Sequence, residues 1–387
     1  MNNNLNIANN VLSAIKAITS KTTLPLSEPV FAGNEAIYLK ECIDSTFVSS
    51  VGKFVDDFER NLEEYTGAKH AISVVNGTSA LHIALKVAGI SSGDEVLIPA
   101  LSFIASANAV AYCNGTPHFI DSDEATMGVD VDKLKDYLTF STEQRSGFCI
   151  NKRTNKAIKA IMPVHTFGHP VRIDNLIDLT NKHNIKVIED AAESIGSFYK
   201  GKHTGTFGLM GALSFNGNKT ITTGGGGAIL TNDASLASLV KHLTTTAKKA
   251  HRWEFIHDEI GFNYRMPNIN AALGCAQLEC ISQKIESKRM LFERYSSKFN
   301  TFKDLILFNE PVNCKSNYWL QTIILKKDNI QLRDKILQVT NDASIYTRPA
   351  WQTLNSQKPF QNSPSMDLSC AESLYKRIIN IPSSTNI

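Results

Sequence analysis

Between residues 70 and 232, short apolar runs alternate with stretches whose apolar positions recur every three or four residues. Ala71-Ile-Ser-Val-Val75, Glu95-Val-Leu-Ile98, His118-Phe-Ile120, Ile158 to Val164 and Ile185 to Asp190 have the length and β-branched content of buried strands. The intervening Ala80 to Ala88, Phe103 to Cys113 and Ile173 to His183 read as helices. Asn76-Gly-Thr-Ser79 offers N-cap chemistry to the first of them. This alternation predicts an α/β fold: a mostly parallel central sheet covered on both faces. Ligands of such sheets gather at the carboxyl ends of the strands. Asn76, His165, Asp190 and Ser214 all fall at such ends.

The flanks follow other patterns. Val11 to Ile18 reads as a short helix that leads into an extended, Pro-containing segment. Beyond residue 233 the chain turns helical, with one long helix expected from Asn268 to about Lys298. The tail mixes strands such as Trp319-Leu-Gln-Thr-Ile-Ile-Leu325 with helices, the pattern of a smaller α+β domain. The expected division is an N-terminal helical extension (1–24), a large domain (25–265) and a small C-terminal domain (266–387).

Hydrophobic residues make up 42% and charged residues 20%, an ordinary globular balance. A net charge of +3 is too small to point to nucleic acid or an anionic membrane as partner. Seven cysteines are scattered without CxxC or Cys/His spacing, so free thiols in a reducing compartment and no metal site are expected. The first residues lack the basic and apolar regions of a signal peptide, and no apolar run approaches the ~20 residues of a membrane span. A cytoplasmic location is expected.

The candidate chemistry lies at the strand ends. Lys219 stands in Ser214-Phe-Asn-Gly-Asn-Lys219, shortly before the glycine run 224–227, and Asp190 closes a strand about 30 residues earlier. A lysine on a Gly-rich turn can form a Schiff base with the aldehyde of pyridoxal 5'-phosphate, and a carboxylate can hold the pyridine nitrogen protonated. The glycine run is no Walker A loop, because no Gly-Lys-Ser/Thr closes it. Gly77, Thr78 and Ser79 open a helix directly after a strand, where backbone N–H groups and hydroxyls suit a phosphate. Ser214 could reach the same phosphate, and Phe103 could stack on the ring. Of the adjacent acids Glu189 and Asp190, only one can face the cofactor, since neighbouring strand residues point to opposite faces. His165 could contact cofactor or substrate. Helix caps, a loop lysine, a core phenylalanine and a hydrogen-bonded histidine would use the same residue types.

Together these residues resemble the DegT/DnrJ/EryC1/StrS sugar aminotransferases, within fold-type I of the pyridoxal phosphate enzymes. The matching pieces are Asn76-Gly-Thr-Ser-Ala-Leu-His82, Pro99-Ala-Leu-Ser-Phe103, Glu189-Asp-Ala-Ala-Glu193, Ser214-Phe-Asn-Gly-Asn-Lys219 and Gly261-Phe-Asn-Tyr-Arg-Met266. The resemblance implies that Lys219 carries the cofactor and moves the proton, and that Asp190 pairs with the ring nitrogen. It places Glu193 near the cofactor hydroxyl, where many relatives have glutamine. Phe103 would cover the ring, and Thr78, Ser79 and Ser214 would hold the phosphate. Asn263 would reach that phosphate from a neighbouring subunit, making a homodimer with shared sites. Related dehydratases carry histidine in place of the lysine, so Lys219 favours transamination.

A finer resemblance is to the branch that aminates C4 of a UDP-linked 4-keto-6-deoxy-N-acetylhexosamine for legionaminic-acid-type bacterial glycans. Leu26 to Glu35, Val48 to Lys53, His257 to Pro267, Arg348-Pro-Ala-Trp351 and Lys376 to Pro382 carry it. L-glutamate is the implied donor. Lys53, Arg252 and Arg265 are candidates for the anionic groups of the substrates, or solvated charges. A dTDP- or GDP-linked keto sugar, and a non-catalytic regulator that binds pyridoxal phosphate, are the rival readings.

Overall fold

A computed structural model describes residues 2–387. A nine-stranded sheet forms its centre. From one edge the strands run His70–Val74, Gly227–Thr231, Met210–Ser214, Lys186–Asp190, Lys156–Ile161, Glu95–Pro99 and Thr116–Ile120. The hairpin strands Thr142–Arg145 and Phe148–Asn151 branch off beside Lys156–Ile161. The four pairings from Met210–Ser214 to Thr116–Ile120 are parallel, whereas Gly227–Thr231 is antiparallel to both of its neighbours. The parallel strands are almost wholly buried, as expected where helices cover both faces.

Helix Gly77–Val87 follows the edge strand after a two-residue turn, and the Asn76 side chain accepts from the Ser79 N–H at 2.8 Å to fix its start. Eight of its eleven residues are buried, so its N-terminus is held rigidly over the sheet.

The long helix expected after Asn268 is two helices, Asn268–Glu279 and Ile281–Phe299. At Cys280 the backbone leaves the helical region (φ −99°, ψ 4°) and its N–H turns back to Leu278 O, which interrupts the ladder. The second helix begins in the same core as the first, through Ile281 and Ile285, and reaches another core only in its later turns. Ala271, Cys275 and Leu278 pack with Phe58 and Leu62 of helix Lys53–Thr66, whereas Leu291, Tyr295 and Phe299 join the apolar cluster of the C-terminal sheet. The first contact is close: a Cβ on Gly274 would lie 2.7 Å from the Phe58 ring.

The C-terminal sheet orders Leu305–Leu307, Gln321–Leu325, Ile378–Ile381 and Arg348–Pro349, all antiparallel. Its second strand begins at Gln321 rather than Trp319, because Tyr318 takes a left-handed conformation (φ 48°) that turns the chain before pairing starts. The N-terminal helix, Asn2–Lys16, lies against helix Ile330–Asp342, with Val11 and Ile15 packed beside Leu332 and Ile336. Among the described residues, no helix is long and apolar enough to cross a membrane.

Candidate active site

The parallel register brings the chemistry to one rim. Ala212 pairs with Asp190, Val164 bridges to Asp190, and Ser214 pairs with Gly227. A cavity opens there, lined by Gly77, Thr78, Phe103, Asp190, Glu193, Ser214 and Lys219 together with Trp319, Arg348 and Trp351.

Asp190 forms part of the cavity wall. Its Oδ2 accepts from Ser106 Oγ at 2.7 Å and its Oδ1 from the Ala192 N–H at 3.2 Å. Burial raises its carboxyl above the usual range, opposed by those hydrogen bonds and by the charge of Lys219. A cation against this carboxylate, such as a protonated ring nitrogen, would offset its desolvation.

Glu189 serves the opposite face. Its carboxylate accepts from the N–H groups of Gly205, Phe207 and Gly208 at 2.7–2.8 Å and contacts His165 Nε2 at 3.0 Å. His165 Nδ1 in turn accepts from the Val171 N–H at 3.3 Å, which assigns the Nε2 proton to the Glu189 contact. His165 is fully buried and is not part of the cavity lining.

Glu193 Oε2 accepts from the Phe167 N–H at 2.8 Å, and Oε1 lies 3.5 Å from Lys219 Nζ. Burial pushes its carboxyl up to about 7, against the pull of Lys219 and the Phe167 amide. Lys219 Nζ also sits 3.8 Å over the Trp319 ring.

Helix Gly77–Val87 points its N-terminus into the cavity beside Ser214. The approach is tight enough that a Cβ on Gly77 would lie 2.8 Å from Ser214 Cβ, so only glycine leaves the backbone N–H groups open there. The first N–H groups of a helix have no intrahelical partner, and here they lie beside the hydroxyls of Thr78 and Ser214. A phosphate at this helix end, a ring nitrogen at Asp190 and an aldehyde within reach of Lys219 describe one molecule, and the residues fit pyridoxal phosphate. Phe103, at 52% exposure, offers a ring face to the same space.

The remaining expected residues lie elsewhere. Ser79 and Asn263 line an adjoining recess with His82, Tyr112 and Tyr264, which shares Asn76 and Thr78 with the cavity. Lys53 is exposed and ion-paired with Glu41. Arg265 donates to Ser50 O at 2.7 Å, in a third recess that also holds Lys241. Arg252 lies on the surface against Trp253. The sequence reading gave no role to Trp319, Arg348, Trp351 or Ser106. Only the Arg348-Pro-Ala-Trp351 stretch carried a signal, as part of a resemblance.

Comparison with known proteins agrees with this geometry. Residues 31–387 match the DegT/DnrJ/EryC1/StrS aminotransferase family. A GDP-perosamine synthase of Escherichia coli O157:H7 is 39% identical over 93% of both chains. A GDP-perosamine synthase of Caulobacter vibrioides is 36% identical over 94% of both. Among solved structures, Helicobacter pylori PseC, an aminotransferase involved in the biosynthesis of pseudoaminic acid, superimposes with a TM-score of 0.84 over 94% of both chains at 26% identity. The chain belongs to the DegT/DnrJ/EryC1/StrS aminotransferase family, and it is a pyridoxal-phosphate-dependent sugar aminotransferase.

The raised Glu193 carboxyl has a consequence for stability. Folding favours its protonated form, so the stability it supports is present below the usual carboxylate range and lost as pH rises toward about 7. Glu193→Gln has no proton to lose. In cofactor-free protein, the melting temperature of this variant relative to wild type should climb between about pH 5 and about pH 8. A flat difference across that window would show that Glu193 titrates as an ordinary carboxylate.

Proposed function

We propose that this enzyme transfers the amino group of L-glutamate to the C4 keto carbon of a hexose carried on a nucleoside diphosphate, and that the nucleotide is GDP. The observation that carries the transfer is the convergence of Lys219, Asp190 and the N-terminus of helix Gly77–Val87 on one cavity. The GDP assignment is supported by two full-length relatives whose names carry a GDP sugar, at 39% and 36% identity. It replaces the UDP-linked N-acetylhexosamine expected from the finer resemblance. The UDP-linked sugar remains the second reading, carried by the finer resemblance of the sequence alone.

When bound, pyridoxal phosphate supplies an aldehyde that takes up the amine and a ring that stores electron density while a C–H bond is broken. The protein's own residues do the rest. Thr78, Ser214 and the helix N-terminus hold the phosphate. Asp190 would hold a negative charge against the ring nitrogen, and Phe103 would lie against the ring. Lys219 Nζ takes the proton from the donor carbon and returns one to sugar C4. Each substrate also brings an anion, a carboxylate or a diphosphate. Arg348 is the cavity's one cation besides Lys219 among the described residues, and we assign it to the glutamate carboxylate. Charge-assisted contacts of this kind suggest that Arg348→Met should raise the glutamate concentration for half-saturation about 10- to 100-fold. An unchanged value would remove Arg348 from the donor site.

The site also needs a second copy of the chain. Ile37, Ile43, Phe47, Val51, Phe255 and Ile260 are large apolar side chains exposed on segments 35–51 and 251–260, and a partner surface would remove them from water. Asn263 lies outside its own chain's cavity, at the end of the second segment. We propose that a homodimer covers this surface and that Asn263 completes the partner's phosphate site. Mixing inactive Lys219→Ala subunits with impaired Asn263→Ala subunits should restore about a quarter of wild-type sites, because each mixed dimer holds one intact site. No recovery in verified mixed dimers would mean that each site is built from one chain.

The substrate itself is read from absorbance in single half-reactions. Enzyme converted with L-glutamate and freed of donor should return to its starting spectrum on addition of a GDP-linked 4-keto-6-deoxyhexose. A response only to the UDP-linked N-acetyl sugar would restore the second reading. No spectral change with glutamate would sink transamination altogether, and Lys219→Ala supplies the blank.

A further inference from the structure

Lys219 faces a problem that its role creates. For part of each catalytic cycle it is joined to the cofactor, and for the rest its amino group must wait within reach of the substrate carbon. A free lysine has a long, flexible stem and loses considerable rotamer freedom when held in one place. Something must therefore hold it.

The Trp319 ring lies directly beneath Nζ, at 3.8 Å from the ring centroid. An ammonium over an indole face is attracted by the ring quadrupole, and more strongly where water is excluded. Trp319 is only 4% exposed, and its face forms part of the cavity wall.

Every polar group of Trp319 is tied. Its N–H donates to Asn317 Oδ1 at 2.8 Å. Its carbonyl accepts from Lys288 Nζ at 3.1 Å, and the same Nζ donates to Ser383 O at 2.5 Å. Its indole Nε1 donates to Asn218 O at 2.7 Å. This last bond joins the ring to the residue immediately before Lys219, so seat and lysine are positioned against each other. Asn317 Nδ2 adds a second tie: it donates to Glu193 O and Ile195 O, both at 2.9 Å. The ring and the Glu193 carboxyl are thereby set on either side of one amino group.

A core tryptophan would need its indole N–H satisfied, but it would not need its face turned to the one lysine of the cavity. We propose that Trp319 is the seat of Lys219: a cation–π surface that, with Glu193, holds the unbonded amino group within reach of the reacting carbon while it carries the proton it has taken up, until that proton is passed on. The charged groups near that amino group are Glu193 at 3.5 Å and Asp190 from the sheet side, and Arg348 also lines the cavity, on the wall that carries Trp319. The proposal rests on the assignment of Lys219 as the cofactor lysine.

The test uses protein loaded directly with pyridoxamine 5'-phosphate, in which Lys219 carries no bond to the cofactor. The readout is the acetylation rate of Lys219 Nζ, followed by mass spectrometry relative to exposed Lys327. Fluorinated tryptophans placed at position 319 weaken the ring quadrupole with little change of shape. The labelling rate should rise stepwise from tryptophan through monofluoro- to difluorotryptophan, by about 5-fold in all, as the ammonium loses its seat. Trp319→Phe, which keeps a ring but loses the bond to Asn218, should raise it partway. An unchanged rate across the fluorinated series would overturn the proposal, as would a response confined to Glu193→Gln. Because the loaded cofactor is added rather than generated, a failed glutamate reaction would speak against transamination without touching this result.

Discussion

One buried carboxylate sets the geometry of the site without entering it. Glu189 is removed from water at the end of a central strand, a position that is costly unless its charge is fully hydrogen-bonded. Three backbone N–H groups from residues 205–208 and the imidazole of His165 meet that demand. Burial works to raise its carboxyl, but these contacts outweigh it and hold it low. The same bonds pin residues 205–208 beneath the strand Lys186–Asp190. The chain then enters its next strand in register, Met210 beside Ile188 and Ala212 beside Asp190. Strand alternation turns Asp190 to the opposite face from Glu189. Ser214 follows two residues beyond Ala212, and Lys219 returns over the strand ends. The two residues proposed for catalysis, Asp190 and Lys219, are thus positioned by an acid that lies outside the cavity lining.

The parts of this arrangement that could be read from the sequence are those set by local rules. Asn76, Asp190 and Ser214 were expected at strand ends because alternation of short apolar runs and helices puts them there, and the structure brings all three to one rim. His165 satisfied the same rule and still lies outside the lining, because its ring turns under the sheet to Glu189. Nothing local marks that choice; it depends on which of two neighbouring acids faces which way. The break at Cys280 leaves no mark in the pattern either: the apolar periodicity continues through it, and Leu278, Ile281 and Ile285 on its two sides share one core. Trp319 and Arg348 were hidden for a related reason. Trp319 stands just before a strand of the C-terminal sheet and Arg348 within another, both far along the chain from Lys219, and their place in the cavity depends on packing between distant segments.

That distance divides the labour of the cavity. One wall is built from the large sheet and carries Asp190, Glu193, Lys219 and the helix N-terminus, the groups proposed to meet the cofactor. The other is built from the C-terminal segments and carries Trp319, Arg348 and Trp351. Trp351 stacks on Phe167 at 4.9 Å, and Phe167 gives its N–H to Glu193. The second wall is therefore fastened to the first through its aromatic side chains. Changes on that wall can alter which sugar is accepted while Lys219 and Asp190 keep their places, consistent with one family using one cofactor on many sugars. Trp319 is the exception that joins the two: it belongs to the C-terminal side by sequence and to the lysine by contact. On this division Arg348 and Trp351 bear on how substrates are gripped, whereas a change at Trp319 also reaches Lys219 itself.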